Sequence, residues 1–172
     1  MDSVATLLKN FNELAPQFYR LLNAAFYLIG AALALFTAFE IKAWQEGGGR
    51  VSFTAPLFTF LAACFFLFLP ETVNTLSTTF FGSQTNILAD RSDAHLSSAY
   101  MEPILRFVEI VGFVAVGRAW LILRDIGKGR ANEGATGRVT WHAVGGVAAI
   151  NITTLAPIIG NFAGVDLSWM VK

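Results

Sequence analysis

Four long apolar runs constrain the fold of this chain more than any other feature. They occupy residues 21–41, 53–69, 104–123 and 141–162 of the 172-residue sequence. A helix that crosses a lipid bilayer needs about 20 mostly apolar residues, and each run is close to that length. We therefore predict an all-α integral membrane protein with four transmembrane helices.

The composition supports this class and excludes others. Hydrophobic residues make up 55% of the chain and charged residues only 14%, whereas an average soluble domain has roughly 25% charged residues. Twelve Lys and Arg residues balance twelve Asp and Glu residues, so the chain lacks the excess of cations that neutralises nucleic-acid phosphates. We expect no direct sequence-specific binding of nucleic acid.

The polar connections arrange the four runs as two antiparallel hairpins. A short polar turn at 44–50 joins the first two runs, and a glycine-rich segment at 124–138 joins the last two. We therefore divide the chain into five segments. An N-terminal amphipathic interfacial helix (1–20) precedes a first transmembrane hairpin (21–70). A polar, partly helical extracytoplasmic connection (71–103) leads to a second transmembrane hairpin (104–163) and a short C-terminal tail (164–172).

The N-terminal segment is amphipathic but too polar to cross a bilayer. Its apolar positions, among them Leu7, Phe11 and Phe18, recur at the period of a one-sided helix. We expect this helix to lie on the membrane surface and to turn at Pro16 into the first span. A signal peptide is the weaker interpretation, since the apolar run continues past the small-residue motif at 32–34.

Basic residues concentrate in the connection of the second hairpin. Residues 124–138 contain four cations, whereas the longer connection 71–102 holds four acids and one arginine. Because short cytoplasmic loops are enriched in Lys and Arg, we predict that both short loops are cytoplasmic and both termini extracytoplasmic. The cations expected to contact lipid headgroups or to face a lumen are Arg124, Lys128, Arg130 and Arg138.

Residues that carry catalysis or bind metals are sparse. The only histidines are His95 and His142, the single cysteine is Cys64, and the apolar runs contain no acidic pair at helical spacing. Nucleophilic catalysis needs a nucleophile beside a base, and a metal site needs clustered His, Cys, Asp or Glu. We therefore predict a non-enzymatic protein that needs no metal and no cofactor.

Charged residues inside the apolar runs need partners. An arginine at the middle of a membrane helix costs about 2.5–3.5 kcal/mol on insertion scales. Arg118 lies five residues, roughly 7.5 Å, inside the cytoplasmic end of its run. It either extends to the headgroups, pairs with Glu40 at a similar depth on the first run, or pairs with an acidic group or lipid phosphate at a subunit boundary. Glu40 and Arg118 are thus a candidate intramembrane charge pair, while Arg106 and Glu109, one turn apart, are expected to pair locally.

Small residues at a spacing of four indicate where helices pack closely. In lipid, helix association depends on close backbone approach, which glycine and alanine permit. Asn151 adds a polar group that needs a hydrogen-bond partner, either in this chain or across an interface. The predicted helix-packing and oligomer-interface residues are Gly30, Ala34, Ala38, Gly112, Ala115, Ala119, Gly145, Gly146, Ala149 and Asn151.

Three motifs follow one another in the second half of the chain. They are the Gly-Arg-Ala-Trp segment 117–120, the basic glycine-rich loop, and the segment 142–151, which begins with His, contains Gly-Gly and ends with Ile-Asn. In this order they resemble the small polytopic membrane proteins of type IVB secretion and IncI-type conjugation systems, the TraQ/TraR and DotE/IcmC group. The resemblance covers residues 105–164.

The resemblance implies a non-enzymatic membrane component of a machine that transfers DNA or effectors. Such a component would lie in the bacterial inner membrane and contact itself, other secretion-system membrane subunits and membrane lipid. By analogy with conjugative pilins, which are helical hairpins with a short basic loop, assembly into an extracellular pilus with bound phospholipid is a further hypothesis. The alternative is a small channel- or holin-like membrane protein unrelated to conjugation.

Overall fold

The computed structural model describes residues 2–47, 52–81 and 101–164, and all regular structure within these ranges is helical. This confirms the predicted all-α class. The helices are α1 Asp2–Glu46, α2 Thr54–Leu67, α3 Leu69–Phe81, α4 Met101–Gly127, α5 Ala135–Ile150 and α6 Ile152–Ala163.

α1 is a single helix that continues through Pro16, so the prediction that a separate surface helix turns there into the first span is wrong. A proline inside a helix removes one backbone hydrogen bond, and packing against α4 offsets that loss. Ala15 is fully buried. The ring of Phe11 lies edge-on to the ring of Phe107, with 6.3 Å between centroids. The N-terminal part of α1 therefore belongs to the helix bundle.

α1 and α2 form an antiparallel hairpin. Gly30 lies so close to Leu67 that a Cβ atom on the glycine would be 2.9 Å from the leucine Cγ atom. The rings of Phe26 and Phe66 pack together with their centroids 5.5 Å apart.

The chain continues from α2 directly into α3, so residues 71–81 of the predicted polar connection are helical. The remainder of that connection up to residue 100 lies outside the described residues.

α4 and α5 form a second antiparallel hairpin with a closer helix contact. A Cβ atom on Gly112 would lie 2.7 Å from the carbonyl oxygen of Gly146, and one on Gly146 would lie 2.6 Å from the Val116 Cγ2 atom. Such distances leave no room for a side chain, so the two glycines allow the backbones to touch. Because α4 continues to Gly127, the loop between these helices is residues 128–134, shorter than the predicted segment.

The fourth apolar run is not one helix. α5 and α6 meet at an angle of 93°, so the prediction of a continuous span over 141–162 is wrong. Asn151 stands at the corner, where its side-chain amide donates a hydrogen bond of 2.9 Å to the Val147 carbonyl. Its own carbonyl accepts hydrogen bonds from the backbone N–H groups of Thr154 and Leu155 and so begins α6.

The helices differ in how well their length and composition suit a membrane. The segment Lys9–Glu46 of α1 is 38 residues long, with a mean hydropathy of 1.9 in its most apolar part. α5 and α6 reach the length of a span only when they are counted together, and Thr54–Leu67 is apolar but short. By these criteria the described residues supply one or two membrane spans, so the prediction of four is not confirmed.

The hydrophobic core lies where α1, α2 and α4 meet. Trp120 of α4 stacks on Phe65 of α2, with ring centroids 4.5 Å apart. The buried apolar residues of this core come from five of the helices: Phe26, Leu33, Ala62, Ala63, Phe65, Phe66, Leu69, Val73, Phe113, Val116 and Ile150.

Candidate functional site

An ion pair joins α1 to the end of α4. The ammonium group of Lys128 contacts a carboxylate oxygen of Glu40, and these side chains are only 11% and 22% exposed. The second oxygen of Glu40 is buried without a hydrogen-bond partner. The attraction between two charges is stronger when they are shielded from water, but desolvation offsets much of it. Removal of one partner is therefore the costly change. We call this contact the loop-end pair.

The end of α4 has a geometry that fixes Lys128 in place. Gly129 adopts a left-handed conformation with φ 66°. Its N–H group bonds to the Ile126 carbonyl, and the N–H of Arg130 bonds to the Asp125 carbonyl. This pair of bonds is the Schellman motif, which ends many helices and favours glycine at the left-handed position. The glycine-rich sequence of this loop therefore serves to end α4 beside Glu40.

Both short loops lie at the same end of the bundle. The hydroxyl group of Thr54, at the start of α2, donates a hydrogen bond of 2.9 Å to the carbonyl of Gly127. Gly127 also packs against Phe58, since a Cβ atom on the glycine would lie 2.4 Å from that of the phenylalanine. The four basic-loop cations are thus in different surroundings. Lys128 is paired, Arg124 is half-buried, and Arg130 and Arg138 are exposed.

A second polar contact joins α1 to α4 toward the opposite end. The hydroxyl group of Tyr19 lies 3.0 Å from a carboxylate oxygen of Glu109, which is only 9% exposed. The same hydroxyl lies 3.4 Å from the Arg106 carbonyl. Sequence reasoning placed Arg106 and Glu109 together but missed Tyr19. A tyrosine beside an apolar run was the sign of such a contact in the sequence. A buried tyrosine hydroxyl usually has a hydrogen-bond partner, so Tyr19 could have been expected to bond to a polar group on another helix.

The predicted pair between Glu40 and Arg118 is wrong, because Glu40 pairs with Lys128. α1 runs parallel to α4, and in its register Arg118 lies level with Leu28. Twelve residues separate Leu28 from Glu40, which is about 18 Å along a helix. The contacts that set this register are Tyr19 with Glu109, Phe26 with Gly117, and Glu40 with Lys128.

The small-residue stripes agree with the structure at some positions and not at others. Gly30, Gly112, Ala119 and Gly146 are buried. Ala115 and Ala149 are half-buried, and a Cβ atom on Gly112 would lie 3.0 Å from the Ala149 Cβ. These six residues therefore lie at or near helix contacts within the chain.

Ala34, Ala38 and Gly145 are exposed, so their predicted packing role is not met within the chain. A spacing of four drifts by about 40° per step around a helix of 3.6 residues per turn. The buried face of α1 instead continues from Gly30 to Leu33 and Thr37, with steps of three and four. The predicted stripe therefore leaves the interface after its first residue.

Asn151 is 1% exposed and has its partner in its own chain. The hydrogen bond to Val147 is the within-chain alternative of the two that the sequence left open. Among the described residues no group of three or more His, Cys, Asp or Glu side chains could hold a metal ion.

Comparison with known proteins gives no relative. The chain matches no family model, no curated protein and no solved structure. The fold and the two polar contacts define an all-helical bundle whose helices α1 and α4 are joined at two levels, with apolar side chains exposed between them.

Proposed function

We propose that this chain is a non-enzymatic, self-associating membrane subunit of a conjugative, type IVB-like secretion apparatus in the bacterial inner membrane. The observation that carries the membrane part is the distance between the two polar contacts. Nineteen residues separate Glu109 from Lys128 on α4, and twenty-one separate Tyr19 from Glu40 on α1. At about 1.5 Å per residue these are roughly 28 and 31 Å, close to the hydrocarbon thickness of a bilayer.

The surface between these two levels is apolar. Leu28 and Phe39 of α1 are 73% and 68% exposed, and Val111 and Val114 of α4 are each 50% exposed. Soluble monomers rarely expose large continuous apolar patches. Contact with lipid chains removes the cost of exposing these side chains to water, which supports placing this part of the bundle in the membrane.

In this placement α1, α2, α4 and α5 cross between the two levels, and α6 does not continue the fourth span. Gly112 of α4 faces Gly146 and Ile150 of α5, and the two helices are antiparallel. Asn151, the next residue after Ile150, therefore lies close to the level of Glu109. α6 then turns by 93° and runs along the outer membrane surface. Its exposed Ile158 and Phe162 would enter the lipid from there.

The two loops at the same end would face the cytoplasm. That end carries the exposed Arg130 and Arg138, and short basic loops are retained on the cytoplasmic side. Both termini would then be extracytoplasmic. Arg130 and Arg138 are available to anionic headgroups, whereas Lys128 is held by Glu40.

The role in conjugation is supported by the motif order of residues 117–151. These motifs lie in the C-terminal half of α4, in the loop that follows it and in α5. Deletion of the gene should abolish transfer of a mobilisable plasmid, and the wild-type chain should restore it. Unchanged transfer after deletion would contradict the proposal. The chain's presence in purified filaments, or only in inner-membrane particles, would decide between a pilus component and a membrane-complex subunit.

The membrane placement can be tested by labelling single cysteines. In a Cys64→Ala background, a cysteine at exposed Ala131 in the loop should react with an impermeant maleimide from the cytoplasmic side only. A cysteine at Leu28 should be protected from both sides in intact membranes and react after detergent is added. Equal labelling of both positions in intact membranes would exclude this placement.

A further inference from the structure

The side of α4 that faces away from the bundle forms an apolar stripe with one cation. Ile104, Phe107, Val111 and Val114 lie within about 40° of Arg118 around the helix axis, at 100° per residue. All four apolar residues are roughly half exposed, and Arg118 is exposed. The close contacts with α5 and α2, at Gly112, Val116 and Trp120, lie on the opposite side of α4. Near the start of this face the half-exposed ring of Phe107 also touches Phe11 of α1. We call these five residues the outer face of α4.

Within the described part of the chain Arg118 has no hydrogen-bond or ion-pair partner. The nearest acid on the same side of α4 is Asp125, two helical turns and about 10 Å away along the axis. Glu40 and Glu109 contact Lys128 and Tyr19 instead. The guanidinium group therefore has no counter-charge among the described residues.

Arg118 also lies halfway between the two polar levels of the bundle. Nine residues separate it from Glu109 and ten from Lys128, which is about 13 to 15 Å on either side. An arginine side chain is too short to cover that distance, so it does not reach a lipid phosphate by extending along the helix. The depth argues against a headgroup as its partner.

The described helices of a second copy offer Arg118 no counter-charge at this depth. Their segments within about 7 Å of it contain no Asp or Glu, and on α4 the nearest acid is Asp125, about 10 Å away toward the loop end. Because Arg118 is near the midpoint, this holds for a neighbouring copy in either orientation.

From these observations we infer that the outer face of α4 binds a transmembrane helix of a different membrane protein, which carries a carboxylate near the middle of its span. The apolar residues of the face would pack against that helix. The guanidinium group of Arg118 would form two parallel hydrogen bonds with its carboxylate, a geometry that arginine favours. This inference rests on the proposed function, since it requires α4 to lie in the membrane.

Binding can be measured with designed peptides in phosphatidylcholine vesicles. The probe is a leucine-rich transmembrane peptide with one central Glu, and the matched peptides carry Gln or Leu at that position. Energy transfer from a labelled full-length chain should show about tenfold tighter binding of the Glu peptide than of the Leu peptide. Arg118→Gln should remove this preference, Arg118→Lys should retain part of it, and Arg138→Gln, which neutralises an exposed arginine elsewhere, should leave it unchanged.

Two further measurements test whether a lipid headgroup or a second copy of this chain contacts the outer face of α4 instead. A peptide whose Glu lies near its end, if preferred over the central one, would show that Arg118 meets the headgroup level and would overturn the inference. A homodimer formed through a disulfide by a Cys64→Ala, Val114→Cys variant would also overturn it, because a second copy would then cover the face. Labelling of the Leu28 cysteine in intact membranes would reject the membrane placement itself, whereas protection of that cysteine with no peptide preference would reject only this inference.

Discussion

Glu40 of α1 is paired with Lys128, the residue that follows the last turn of α4. The pair lies toward the end of the bundle where α4 ends and α2 begins, and it helps to set the register in which α1 runs along α4. The Schellman motif at Gly129 holds the lysine backbone in position. The first and second hairpins are therefore tied together by charge at the loop end.

Neutralising one member of this pair should destabilise the bundle. Glu40→Gln or Lys128→Gln leaves a shielded charge without its partner, which we expect to lower the free energy of unfolding by about 1–3 kcal/mol. The double variant Glu40→Gln, Lys128→Gln should recover part of that loss. Denaturant unfolding of the detergent-solubilised protein measures the coupling as a double-mutant cycle. Additive effects of the two single changes would show that the pair contributes no coupling energy.

Adjacent glycines in α5 should differ in their tolerance of alanine. Gly146→Ala would place a Cβ atom 2.6 Å from the Val116 side chain and 2.8 Å from the Gly112 carbonyl oxygen. The helices must then separate, at a cost of about 1–3 kcal/mol. Gly145 has no atom within 4 Å of its Cβ position, so Gly145→Ala is the matched control and should stabilise the helix by about 0.5–1 kcal/mol. Equal effects in thermal unfolding would contradict the Gly112–Gly146 contact.

The hydrogen bond between Tyr19 and Glu109 should stabilise the end of the bundle opposite the loops. Tyr19→Phe keeps the ring but removes the hydroxyl group that lies 3.0 Å from the carboxylate. A hydrogen bond to a charged group contributes about 1.5–3 kcal/mol. We expect a loss of that order in unfolding experiments. Tyr27→Phe removes an exposed hydroxyl from the same helix and should have a much smaller effect.

Apolar length alone predicts the helices of this chain but not where they end or bend. The runs 53–69 and 104–123 correspond to α2 and α4 because mostly apolar stretches of this length favour a helix over a strand or a loop. α1 extends far beyond its run since packing of Ala15 and Phe11 holds the polar N-terminal turns in the bundle. Packing of this kind depends on residues distant in sequence, which a local pattern does not contain.

The partners of charged residues were harder to predict than the helices. Glu40 lies one residue and Arg118 five residues from the ends of their apolar runs, but helix register, not run length, decides which residues are level. That register is set by side-chain contacts such as Phe26 with Gly117. The four-residue spacing of Gly30, Ala34 and Ala38 failed for a related reason, because the contact face follows alternating steps of three and four.

The right-angle corner between α5 and α6 should depend on Asn151. Its buried amide bonds to the Val147 carbonyl, and asparagine favours such local bonds over a continuous helix. Asn151→Ala removes this alternative, so we expect α5 to continue toward α6 in a larger fraction of molecules. Spin labels at the exposed positions Trp141 and Phe162 would then move apart, toward the roughly 31 Å that twenty-one residues span in a straight helix. Asn161→Ala, an exposed asparagine within α6, should leave the distance distribution unchanged, and identical distributions for both variants would show that other contacts hold the corner.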